Sequence, residues 1–225
     1  MIAACLGIQA GWFVENPMIN NPVWYVSVLL LCYVVMYLAT WSAKKLQISP
    51  KYFYILIIFI GIGTKAYQIE WPFINRSYSS RGYIAFFWGL ILADILKKID
   101  LRSIRVQVCS LLMGLAVIMV IATGYKRNMN LPITFILWPS AIILSYSKTI
   151  TGIFQGNFWS QWAKISFDVY IWHAVVLGTL KIIPIKERAW SMSLWGLMMT
   201  LALCQIVGWL SWRFIERPLD KAIRI

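Results

Sequence analysis

Apolar residues in this chain come in long uninterrupted runs rather than alternating with polar ones. Such runs occupy 23–40, 52–67, 82–96, 106–123, 131–147, 165–181 and 191–214, separated by short charged or turn-rich stretches. A hydrocarbon layer about 30 Å thick is crossed by roughly 20 apolar residues in a helix, with tolerance for somewhat shorter spans. Barrel strands alternate apolar and polar positions, and an open sheet edge in lipid leaves backbone groups unpaired, so continuous runs predict helices. The expected fold class is all-α: a polytopic transmembrane helix bundle with seven spans, forming a single membrane domain over 1–225. The opening stretch, 2–14, is apolar but short and carries Gln9, so it reads as the remnant of an eighth span.

Composition agrees with the pattern. Hydrophobic residues make up 60% of the 225 and charged residues 13%, against roughly 45 to 50% and about 25% in soluble domains. A soluble globule has no means of hiding that much apolar surface. The N-terminus lacks a basic leading segment and a small-residue cleavage site, so no cleaved targeting segment is expected. Cys5, Cys32, Cys109 and Cys204 all sit inside apolar runs without paired spacing. They read as small packing residues, with neither a metal site nor a disulfide framework.

Charge then orients the bundle. Placing the loops 41–51, 97–105 and 148–164 and the tail from Arg213 on one side gathers thirteen of the 21 lysines and arginines there. Positive loops favour the cytoplasm, which predicts a multi-pass cell-membrane protein with a cytoplasmic C-terminus. The net charge of +13 lies in short inter-span loops rather than on one aromatic-laced patch. Membrane lipids are therefore the expected partner and nucleic acid is not. Tryptophans and tyrosines near the span ends, among them Trp24, Tyr25, Trp41, Tyr52, Trp71, Trp159, Trp162 and Trp212, suit an interfacial belt.

Ionisable groups inside spans are costly and mark candidate sites. Asp94 has Lys98 four residues on, the spacing of a helix-end ion pair. His173, the single histidine, follows the start of its span by eight residues, about 12 Å deep at 1.5 Å per residue. Ser166, Tyr170 and His173 share one helix face, expected to point into the bundle, while Asp168 falls on another. Ser166 and His173 are about 10 Å apart along the axis, too far for a nucleophile–base hydrogen bond, so a Ser/His/Asp triad on this helix fails. A lone imidazole can take a proton from an attacking hydroxyl or hold a ligand; it also suits a neutral histidine bonded to a neighbouring helix. Arg76 and Arg81 precede the third span, where they either clamp a substrate phosphate or carboxylate or remain solvated loop charges. In Phe214, Ile215, Glu216, Arg217, Pro218 the proline is expected to stop the last helix, with a local ion pair at the interface. No glycine-rich phosphate loop, zinc spacing or dinucleotide fingerprint occurs.

Three segments, NNPVWYVSVLLLCYVVMYL (20–38), RGYIAFFWGLILA (81–93) and AKISFDVYIWHAVVL (163–177), closed by FIERPLDKAI (214–223), together resemble the membrane-bound acyltransferase 3 family, which O-acylates sugars and other envelope molecules. The resemblance implies a ten-helix bundle. An acyl group, acetyl by expectation, would pass from acyl-CoA as co-substrate to a hydroxyl of a cell-envelope glycan acceptor, with no resident cofactor or metal. The residues themselves, by span depth, helix face and loop position, make His173 the candidate base and Arg76, Arg81, Tyr170 and Ser166 the candidate substrate contacts. Family members run longer and begin with a helix bearing a catalytic arginine and histidine, which have no counterpart here. The chain is therefore expected to be an incomplete acyltransferase 3 domain, inactive alone unless His173 takes the vacant role. A polysaccharide or lipid-linked sugar transporter or flippase, which should show matching halves, and a noncatalytic membrane subunit, hinted at by Gly61 with Gly63 or Gly82 with Gly89, are the alternatives.

Overall fold

The computed structural model describes residues 8, 10–13, 24–124, 129–147, 151–152, 156–182 and 194–223. Among these, seven helical segments and one two-residue-stranded hairpin make up the regular structure. They are α1 (Trp24–Lys45), α2 (Pro50–Ala66), β1 (Glu70–Trp71), β2 (Ile74–Asn75), α3 (Ser79–Leu96), α4 (Ile104–Ala122) and α5 (Asn130–Ser145), followed by α6 (Asn157–Ile182) and α7, which runs from Leu194 to Ile223. The all-α expectation holds. Three helices, Trp24–Lys45, Ile104–Ala122 and Trp195–Ile223, are long and apolar enough to cross a membrane. The 2–14 run falls outside the described residues except at 8 and 10–13, where the chain bends rather than coils. There, the Ala10 N–H donates to the Ser27 hydroxyl at 2.9 Å and the Trp12 indole N–H to the Ser27 carbonyl at 3.0 Å.

The chain divides into two compact units, one built on Trp24–Phe154 and the other on Gln155–Ile225. In the first, α1, α2 and α3 enclose Val28, Leu31, Cys32, Ile57, Ile58, Tyr83 and Phe87. α2 starts cleanly because Ser49 is extended and Pro50, whose missing N–H costs nothing at a first turn, opens the helix. α4 is packed inside out: it buries Gln107, Ser110, Gly114 and Val117 on one face and exposes Val108, Leu111, Leu112, Leu115, Ile118 and Met119. In water this arrangement would be upside down. In lipid, which solvates leucine as well as a protein core does, the polar and small face turns inward because only there can its groups be paired. Gln107 shows the pairing, its Nε2 donating to the Ile143 carbonyl of α5 at 2.8 Å.

Close helix approach depends on absent side chains. A Cβ on Gly82 would lie 2.2 Å from Val28 Cγ1, one on Gly61 3.0 Å from the Ser80 carbonyl, and one in the second unit on Gly208 2.5 Å from Val169 Cγ2. Gly63 and Gly89 have open space instead. The two glycine pairs suggested by sequence therefore split, one member of each packing within the unit.

Proline does not stop the last helix as expected. Arg217 N–H reaches back five residues to the Trp212 carbonyl, forming a π turn over Trp212–Glu216, and the helix continues as Arg217–Ile223. The same device occurs in α5, where Trp138 N–H bonds the Ile133 carbonyl across Ile133–Leu137. In both, the residue closing the wide turn directly precedes a proline, Pro218 or Pro139. Widening the turn gives the proline ring room against the carbonyl it would otherwise strike, so the helix survives. Gly82→Val should lower stability by about 2 kcal/mol or more through overpacking against Val28, while Gly89→Ala should leave it nearly unchanged; thermal unfolding of the detergent-solubilised chain reads the difference.

Candidate functional site

α2 returns into α3 through a tight, polar hairpin. Pro72 presets the first turn position and Phe73 takes a left-handed conformation (φ 64°), the pattern of a type II turn in which glycine is usual. Phe73 is held there by the Tyr83 hydroxyl, which donates to its carbonyl at 2.7 Å, and by an edge-on contact with the Trp12 ring. Asn75 is 2% exposed and organises the rest. Its Oδ1 accepts from the Ser77 and Tyr78 N–H groups at 2.8 and 3.1 Å, caring for amides at the start of α3. Its Nδ2 donates to Glu70.

This hairpin consumes Arg76. The guanidinium pairs with Glu70 Oε1 at 2.8 Å through Nε and donates from Nη1 to Gln68 Oε1 at 2.7 Å. Of the two arginines singled out by sequence, it is the one committed to structure. Arg81, the third residue of α3, faces a different place: a cavity of about 320 Å³ lined by Lys65, Arg81, Asn130, Thr134 and Trp138 among others. Lys65 ends α2 and lies close enough to Arg81 for the two charges to repel. Among the described residues neither forms an ion pair. The far wall comes from the first turns of α5, including Ile133 and Thr134 of the π turn, a feature that recurs at functional sites. Lys65 is not among the candidate residues drawn from the sequence. The available signal was its place inside the apolar run 52–67, where a lysine needs a reason.

At the opposite end of the same helix pair, Asp94 pairs with Lys51 of α2 at 3.1 Å and with Lys97 at 3.8 Å. Lys98, the partner expected from spacing, is replaced by a cross-helix one. The ion pair is structural, as the sequence indicated.

In the second unit, α6 begins at Asn157, well before the expected start at 165, so His173 lies roughly 24 Å along the helix from its first residue. Its Nδ1 meets the Tyr170 carbonyl of its own helix; the neighbouring-helix partner expected from sequence is not the one used. A carbonyl only accepts, so this bond places a proton on Nδ1, and in the neutral ring Nε2 is then the accepting nitrogen. The Tyr170 ring stacks obliquely on the imidazole with centroids 5.5 Å apart. Ser166, expected to face the interior with them, is exposed, and its hydroxyl bonds back to the Ala163 carbonyl at 2.8 Å. Among the described residues of this helix the buried polar one is Asp168, 6% exposed. Its Oδ1 accepts from the Ser211 hydroxyl of α7 at 2.7 Å, and the Glu216 carboxyl of the π turn stands beside it. Glu216 thus looks across to α6 rather than to Arg217, whose guanidinium lies over the Trp212 ring instead. Sequence separation hid this cluster: Asp168 and Ser211 are 43 residues apart.

Among the described residues no group of three or more His, Cys, Asp or Glu side chains could hold a metal ion. A family model described as an acyltransferase domain matches residues 3–211, most of the chain. No curated protein and no solved structure matches it.

Ser211→Ala should destabilise the second unit by about 1 to 3 kcal/mol, because it removes the hydroxyl donor from a buried carboxylate. Ser211→Thr, which keeps the hydroxyl, should recover most of that loss in the same unfolding measurement.

Proposed function

The chain belongs to the acyltransferase 3 family, and from that premise we propose that it is a multi-pass cell-membrane enzyme moving an acetyl group from acetyl-CoA to a hydroxyl of a cell-envelope sugar. The family match over 3–211 carries this reading. In the proposed topology all seven helices span the membrane and the C-terminus is cytoplasmic, the arrangement favoured by the lysines and arginines of the loops.

His173 is the general base of the proposal. It is the single histidine of the chain, and its Nδ1 bond to the Tyr170 carbonyl favours the tautomer with a free Nε2. Nε2 takes the proton of the acceptor hydroxyl as its oxygen bonds to the thioester carbonyl carbon. The carbon–sulfur bond then breaks, and the imidazolium returns the proton to the departing CoA thiolate. Tyr170, stacked on the ring, holds its orientation.

The test is transfer of labelled acetyl from acetyl-CoA to envelope glycan by the purified chain in lipid. Transfer by the wild type that falls about 100-fold or more in His173→Ala, the scale of a lost general base, supports the reading. Transfer unchanged in that variant removes His173 from the chemistry, and acetyl-CoA binding without any transfer by the wild type makes the chain a noncatalytic member.

A further inference from the structure

Arg81 belongs to two cavities at once. On one side it lines the polar cavity with Lys65, Asn130 and Thr134. On the other it lines a groove of about 250 Å³ between α1 and α3, whose remaining wall is mostly apolar: Trp24, Val28, Leu29 and Phe86. Ala85, one turn on, is also common to both, so the two spaces border the same stretch of α3.

Two cations drawn together at the end of a helix pair repel each other, and neither has a carboxylate partner among the described residues. At the other end of the same helices the lysines do have a carboxylate partner, Lys51 and Lys97 both meeting Asp94. An anion between Lys65 and Arg81 would remove the repulsion, and the Asn130 amide and Thr134 hydroxyl supply further donors beside it. Arg81 presents a planar fork suited to two oxygens of one phosphoryl group, and Lys65 a point charge for a third.

We propose that Lys65 and Arg81 bind the phosphate headgroup of a membrane amphiphile whose apolar chain lies in the groove between α1 and α3. The groove argues for an amphiphile over a free anion, because a soluble phosphate would leave that apolar wall unused. The inference rests on the acyltransferase reading only in making this amphiphile the acceptor or its carrier.

The test is binding, without acyl transfer. The full chain is placed in phosphatidylcholine nanodiscs and titrated with fluorescent phosphatidylglycerol, with inorganic pyrophosphate as a soluble arm. Preferential binding of phosphatidylglycerol, weakened at least ten-fold in Arg81→Gln and in Lys65→Gln but unchanged in Lys97→Gln, supports the proposal. Thermal unfolding of each variant confirms that it is folded. Equal binding by wild type and both site variants, or no preference over phosphatidylcholine, overturns it. Pyrophosphate bound through Arg81 while phosphatidylglycerol is not would assign the site to a free anion and likewise overturn the amphiphile. An enzyme assay that fails leaves these outcomes untouched, so the two proposals fall separately.

Discussion

Asn75 is a short amide buried where the chain reverses between two apolar helices, and the arrangement of the first unit follows from how its polar atoms are used. The Oδ1 takes two amides at the start of α3, the Nδ2 goes to Glu70, and its own N–H bonds the Ser79 hydroxyl at 2.6 Å. Helix starts carry donors without intrahelical partners, and beside lipid such donors are expensive. By satisfying them from one side chain, the chain turns back in very few residues. Arg76 is thereby tied into the hairpin through Glu70, and Arg81 is set as the third residue of α3, beside Lys65.

The same economy of polar groups explains the packing. Helices in lipid gain nothing by hiding leucine from leucine-like solvent, so they associate through close backbone approach and through the polar groups that must be paired. Gly82, Gly61 and Gly208 mark the approaches, each at a place where a methyl group would collide. Gln107 and Asp168 mark the pairings, one to the Ile143 carbonyl and one to the Ser211 hydroxyl. The exposed leucines, isoleucines and methionines of α4 are what remains when those needs are met first.

The two π turns show how far a local rule carries. Proline disfavours a regular helical turn before it, and that much is a property of the residue. Whether the helix ends or widens depends on what lies beyond. Past Pro218 the helix continues to Ile223, and the widened turn holds Glu216 beside Asp168. Past Pro139 it continues through α5, and the widened turn contributes Ile133 and Thr134 to the cavity wall.

The apolar runs and the scarcity of charge were enough to determine helices and a membrane setting, and the resemblance of four segments pointed to the family, because composition and contiguous segments are local properties of the chain. The contact of His173 with Tyr170 was legible for the same reason, the two being one turn apart on one helix. The pairing of Arg76 with Glu70, the meeting of Lys65 with Arg81 and the joining of Asp168 to Ser211 and Glu216 were not. Each depends on which helix faces return to one another after a turn, and that choice is made by hydrogen bonds and backbone clearances that exist only once the helices have packed.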